Sequence, residues 1–262
     1  MKKLLKGLLI DIQFFTAIPV PFELPMDKPH LKKAVQAFPL LGLVQGVIYA
    51  LLVFVLLEFT PFSNLAVAFL LWLTTILLTG GIHLDGWMDA SDGFFSYKDR
   101  EKRLEIMKDP RTGAFGVISV LVLLSCRFLF IYEITEYVHF LSYILIASIP
   151  FLSKSLMGVL LLTVKSAKKD GLGALFQNAA TLKALWIYPV YILGVLALAI
   201  YLNSLLPIAI LIVTAFIFFV FCCRKAVKWF GGITGDVLGA AVEGTELVLW
   251  MTLWLLHYFV MG

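Results

Sequence analysis

The segment His83-Leu84-Asp85-Gly86-Trp87-Met88-Asp89-Ala90-Ser91-Asp92-Gly93 sets three carboxylates at the end of a long apolar run. Side chains three and four residues apart share a helix face, so a helix over residues 85 to 92 stacks Asp85, Asp89 and Asp92 on one stripe. Carboxylates held that close repel one another. A divalent cation relieves the repulsion, and an oxygen-only donor set favours a hard ion such as Mg²⁺ over zinc.

A second segment, Gly231-Gly232-Ile233-Thr234-Gly235-Asp236-Val237-Leu238-Gly239-Ala240-Ala241, leads into the last apolar run. Glycine-rich backbone opening a helix presents N–H groups and the positive end of the helix dipole, which suits phosphate at the turn around Gly235. Asp236 has two open readings, helix cap and metal ligand. Glu243 and Glu246 follow on the same helix, where a carboxylate one to two turns into a membrane is costly and usually functional. Arg127 and Lys154 lie in the middle of apolar runs; they either form structural ion pairs with Glu243 and Glu246 or meet an anionic substrate.

Lys108, Asp109 and Arg111 precede Gly113 and Gly116 and form a further polar cluster. An arginine there can grip phosphate oxygens bidentately, whereas a solvated basic loop explains the charge but not the glycines. His83 is a candidate general base, although a lone histidine at a span end is more often an interfacial hydrogen-bonding residue. Together these groups suggest metal-assisted transfer of a phosphoryl-containing group from a nucleotide-activated donor, with a carboxylate deprotonating the attacking hydroxyl.

The elements that must position them belong to a membrane. Hydrophobic residues make up 61% of the 262, charged residues 15%, and mean hydropathy is +0.97, far above that of a soluble domain. Seven runs approach the roughly 20 apolar residues that cross a bilayer as helix: about 39 to 57, 63 to 83, 115 to 137, 140 to 163, 184 to 202, 205 to 222 and 240 to 260. So many runs leave too few polar residues to cover a soluble core. Residues 4 to 22, interrupted by Asp11 and Gln13 and ended by Pro19 and Pro21, suit an interfacial amphipathic helix and not a removable signal peptide.

Lysine and arginine fall on alternate connections. Lys2, Lys3, Lys6, Lys28, Lys32 and Lys33 precede span one, and the run from Lys98 to Arg111 follows span two. Lys165, Lys168, Lys169 and Lys183 follow span four; Arg224, Lys225 and Lys228 follow span six. By the positive-inside rule the N-terminus, all long connections and the site are cytoplasmic, and the C-terminus at Met261-Gly262 is outside. The same rule accounts for the net charge of +4, so nucleic acid is not the expected partner. Cys126, Cys222 and Cys223 show no zinc-site spacing. The expected architecture is all-α: one integral membrane bundle over residues 1 to 262, its site assembled from span ends and the connections at 84 to 114, 164 to 183 and 223 to 239. The lipid bilayer is its surrounding; the oligomeric state, a homo-oligomer included, stays open.

Thr79-Gly80-Gly81-Ile82-His83-Leu84-Asp85-Gly86, continued by Asp89, Asp92 and Gly93, resembles the motif of the cobalamin synthase family, the adenosylcobinamide-GDP ribazoletransferases. Further pieces agree in order: Phe14-Phe15-Thr16 with Pro19-Val20-Pro21, Phe38-Pro39-Leu40 with Gly42, Glu105-Ile106-Met107-Lys108-Asp109 with Arg111 and Gly113, Gly171-Leu172-Gly173, and Gly232-Ile233-Thr234-Gly235-Asp236 through Glu243 and Glu246. Lys154 and Ala17 stand where the family more often has arginine.

The resemblance implies a Mg²⁺-dependent enzyme of late cobalamin assembly. It would join nucleotide-activated adenosylcobinamide-GDP to α-ribazole or its 5′-phosphate and release GMP. Carried over, Asp85, Asp89, Asp92 and Asp236 would be the catalytic, metal-holding carboxylates. His83, Lys108, Asp109, Arg111, Arg127, Lys154, Gly235, Glu243 and Glu246 would be substrate contacts. The rivals are a CDP-alcohol phosphotransferase, whose Asp-x-x-Asp-Gly continuation is missing after Gly93, and a cation or metabolite transporter, whose repeated halves are not seen.

Overall fold

Eleven α-helices and one 3-10 turn make up the computed structural model, which describes residues 2–168 and 170–261 and has no strand among them. Lys169 and Gly262, read above as part of a basic connection and as the outer terminus, lie outside the described residues. The elements are α1 (Lys2–Phe15), α2 (Lys28–Phe59), α3 (Asn64–Leu77), α4 (Ile82–Phe95), α5 (Arg100–Ile106), α6 (Ala114–Glu136), α7 (Phe140–Thr163), α8 (Leu172–Ala179), the 3-10 turn (Leu182–Ile187), α9 (Tyr188–Tyr201), α10 (Leu205–Phe230) and α11 (Gly235–Phe259).

Six helical stretches are long and apolar enough to cross a membrane: α2, α6, α7, the 3-10 turn continued by α9, α10 and α11. The bent pair α3 plus α4 makes seven if counted as one span. This is the composition of a multi-pass membrane protein. Burial sorts the helices, since 78% of the apolar window of α7 and 67% of that of α11 are covered by protein, against 17–33% for the other four. These two therefore form the axis of the bundle, and lipid-facing apolar surface is left to the rest. Gly42 and Gly46 of α2 let its backbone lie against Pro150 and Ala147 of α7, the small-residue contact by which membrane helices pack closely.

Local chemistry fixes the ends. Asp27, Ser63, Asp99 and Thr234 cap α2, α3, α5 and α11 by accepting N–H groups from the first turn. The first span begins earlier than expected, at Lys28 and not near residue 39, and the helix runs through Pro39. Proline removes the N–H that would bond the carbonyl four residues back, at Val35. The Tyr188 hydroxyl donates to that carbonyl instead, at 2.5 Å, so the helix survives its own interruption.

The second expected span is broken. Gly81, with φ of 74°, ends the crossing after α3, and α4 turns away by 78°. It then packs across the N-terminal ends of α6 and α11. The N-terminal helix stops at Phe15, short of residue 22, and Asp11 is not on a wet face. Asp11 is fully buried, neither carboxylate oxygen has a hydrogen-bond partner among the described residues, and burial pushes its carboxyl well above the usual range.

Candidate active site

Residues 85 to 92 are helical, as their spacing predicts, and α4 carries Asp85 exposed with Asp89 and Asp92 half-buried. What brings α4 to α11 is Gly86: a Cβ there would stand 2.7 Å from the carbonyl oxygen of Asp236. Only the absence of a side chain allows the two helices to meet with their aspartates on the same side. Asp89 records the result. Burial first, then the charges of Asp85, Asp236 and Asp92, push its carboxyl up to about 6, opposed by Lys168.

Asp92 is held differently from its neighbours. The N–H groups of Gly113 and Gly116 each donate to one of its oxygens at 2.7 Å. The first turn of α6 is thereby tied to α4, and the glycines at those positions leave room for the carboxylate. This clamp also brings the Lys108–Arg111 connection to the acidic cluster. Arg111 pairs with Asp109, Nη2 to Oδ2 at 2.7 Å and Nε to Oδ1 at 2.9 Å, and pulls that carboxyl down to about 2. Both side chains and Lys108 remain on the outer surface.

The glycine-rich turn is set by a short pairing. Ile233 donates to the Lys165 carbonyl at 2.9 Å and Ala167 to the Ile233 carbonyl at 2.8 Å, and Gly232 lies too close to Ser166 for any side chain. Lys168 is thus delivered to Asp236, Nζ to Oδ2 at 3.5 Å. Gly173, opening α8, lies against the amide of Gly235, where a Cβ would stand at 3.1 Å. Asp236 itself accepts the Thr234 hydroxyl at 3.2 Å while Thr234 provides the cap, so the capping alternative for Asp236 belongs to its neighbour.

Asp85, Lys168, Gly235 and Asp236 border a cavity of about 230 Å³. Asp170 and Thr234 add to this polar side, and the facing side is apolar and includes Phe15 of α1, Phe38 of α2 and Phe176 of α8. His83 also lines it, 3% exposed; burial, with Lys154 second, holds its imidazole well below the usual range and therefore neutral. Lys168 and the three phenylalanines were not among the expected site residues. Lys168 read as one more basic loop residue, Phe15 and Phe38 carried a signal only as pieces of the family motif, and Phe176 carried none.

Among the described residues no three His, Cys, Asp or Glu side chains converge as a ready-made ion site. The donor set nevertheless fits a hard divalent cation. It is oxygen-only, and the displaced Asp89 shows negative charge that Lys168 alone does not offset. Arg127, Lys154, Glu243 and Glu246 lie elsewhere. Arg127 pairs with Glu243, and Lys154 with Glu246 at 3.3 Å, all four almost fully buried between α6, α7 and α11 and none on the cavity wall. Ser153 donates to Glu246 at 2.9 Å and completes the network. The ion pairs of the first reading are thus present, and a single point charge at Lys154 suffices for its contact.

The family model described as cobalamin-5-phosphate synthase matches residues 7–254. A protein from Geobacillus sp. (strain WCH70), "Adenosylcobinamide-GDP ribazoletransferase", is 41% identical, with all of both chains covered. The protein of the same name from Geobacillus kaustophilus is 39% identical over all of both chains. That of Clostridioides difficile is 33% identical over 97% of this chain and 99% of its own. No solved structure matches.

Proposed function

Because the chain belongs to the cobalamin-5-phosphate synthase family, we infer that it is a membrane transferase that joins adenosylcobinamide-GDP to α-ribazole or its 5′-phosphate and releases GMP. The ribazole 3′-hydroxyl attacks the phosphorus attached to the cobinamide aminopropanol arm. The bond from that phosphorus to the oxygen of the departing GMP breaks, and the hydroxyl proton passes to a carboxylate of the cluster.

The observation that carries this reading is the gathering of Asp85, Asp89, Asp92 and Asp236 where α4 crosses the start of α11. Asp85, Asp89 and Asp236 would hold Mg²⁺, which supplies neutralising charge on the diphosphate and the leaving phosphate. Asp92 adds its charge and fixes the connection carrying Lys108 and Arg111, whose exposed cations meet phosphate at the rim. Lys168 and the amides opening α11 at Gly235 do the same from the opposite side. This end of the bundle and the N-terminus are proposed to face the cytoplasm at the inner membrane, a reading that the positive-inside rule and the lysines and arginines gathered there support.

Membranes containing the protein are expected to release GMP from adenosylcobinamide-GDP and α-ribazole only with Mg²⁺, and Asp89→Asn or Asp92→Asn is expected to lower turnover at least ~100-fold. Full turnover in Asp89→Asn sinks the metal assignment, and full turnover in Asp92→Asn sinks the positioning role of Asp92. A wild type without turnover that passes cations across vesicles is a transporter instead.

A further inference from the structure

The cavity beside the carboxylates has two unlike walls. One is polar, with Asp85, Lys168, Asp170, Thr234 and Asp236. The other is built from Phe15, Phe38 and Phe176, each ring packed on the other two at centroid distances of 5.6–5.8 Å. His83 joins the aromatic wall, stacked on Phe15 at 5.9 Å and 15°.

The imidazole of His83 is where the packing is incomplete. It is 3% exposed, it lines the cavity, and its Nε2 is buried with no hydrogen-bond partner among the described residues. Buried polar atoms in folded proteins are nearly always paired, so an imidazole that lines the cavity with an open hydrogen-bonding position is available to a ligand. The other residues of this wall bring carbon and sulfur. A ligand fragment that suits it is flat, edged mainly by carbon, and carries one acceptor nitrogen for an imidazole N–H. Size agrees: about 230 Å³ falls short of the roughly 300–1,000 Å³ of pockets that enclose a whole drug-sized ligand, and it has room for one ring system.

We propose that the aromatic wall receives the benzimidazole base of the ribazole acceptor, with His83 donating to the free ring nitrogen of the base. The proposal rests on the ribazole-transfer reading above and adds to it the residues that select the acceptor. Guanine, the competing base of the same reaction, carries donors and acceptors on several edges. Turned toward the aromatic wall, where His83 is the one polar side chain, most of these groups would be buried unpaired, which is strongly unfavourable. Benzimidazole has one free acceptor, and the rest of its perimeter is hydrocarbon. His83 and Asp85 line the same cavity, so a base at His83 leaves its ribose near the polar wall, where the attacking hydroxyl is needed.

The test compares acceptors and variants in the GMP-release assay. Wild type is expected to use the riboside of indole, which has carbon in place of the free ring nitrogen, with a KM at least tenfold above that of α-ribazole. His83→Phe keeps a ring against Phe15 and removes the N–H. In it the KM for α-ribazole is expected to rise at least tenfold, the KM for adenosylcobinamide-GDP to stay within twofold, and the preference for benzimidazole over indole to disappear. A wild type that uses the indole riboside equally well overturns the proposal even if His83→Phe fails to fold. So does a variant whose defect is in KM for adenosylcobinamide-GDP, which assigns the cavity to guanine while ribazole transfer stands. A wild type that transfers no ribazole at all removes the underlying reading instead.

Discussion

At the residue scale, Asp89 is the group whose state reports the site. Its carboxyl ordinarily titrates near 3.8 and is raised to about 6 by burial and by three carboxylate neighbours. The folded, metal-free chain therefore holds a proton that the unfolded chain releases. Stability without metal falls as pH rises through the window from about 4 to 6 and stays low above it. On the proposed metal role, protons and Mg²⁺ compete for the same oxygens, so the Mg²⁺ concentration for half-maximal activity is expected to climb as pH drops below about 6. Asp89→Asn is expected to raise the thermal midpoint in chelator at pH 7.5, to make no difference near pH 4, and to lose activity at every pH. Midpoints recorded across that range check it, and a variant less stable than wild type at pH 7.5 contradicts the charge-repulsion account.

At the scale of the helix, the geometry of α4 depends on two contacts that small residues permit. Gly86→Ala would push α4 away from the start of α11, because its Cβ meets backbone and nothing flexible can give way. Overpacking of this kind costs about 1–3 kcal/mol. Because the displaced segment carries Asp85 and Asp89, turnover is expected to fall further than stability does. Asp92→Ala acts at the other end by removing two N–H···carboxylate bonds at 2.7 Å. Bonds to a charged group contribute about 1.5–3 kcal/mol each when buried, and less at a half-buried site. Hydrogen exchange at the Gly113 and Gly116 amides is expected to speed up at least tenfold in this variant, and unchanged exchange would show that α6 holds its first turn without the clamp.

At the scale of the whole molecule, α7 and α11 are joined to α6 by charges that the bilayer makes expensive to separate. Arg127→Met leaves Glu243 buried without its partner, a change that costs about 3–5 kcal/mol when a buried pair is broken. Arg127→Met combined with Glu243→Leu removes both charges and is expected to recover most of that loss, with the KM values of both substrates near wild type. Thermal midpoints and steady-state kinetics of the single and double variants decide it. A double variant that folds but has lost its affinity for adenosylcobinamide-GDP would return these residues to substrate binding.

The helical stripe of Asp85, Asp89 and Asp92, the number of apolar runs and the one-sided distribution of lysine and arginine were legible in the sequence, because each is a property of residues within about one turn or one span of each other. So was the position of Gly235 and Asp236 at a helix entry. The folding of span two at Gly81, the diversion of Asp92 to the amides of α6 and the partners of Arg127 and Lys154 were not. Periodicity states which face of a helix is special but not which helix meets it, and that is decided by close approaches at positions such as Gly42, Gly46 and Gly86. The aromatic cavity is the extreme case. Phe15, Phe38 and Phe176 come from three helices far apart in the chain, and in a sequence with 22 phenylalanines only their tertiary meeting beside an unpaired His83 sets them apart.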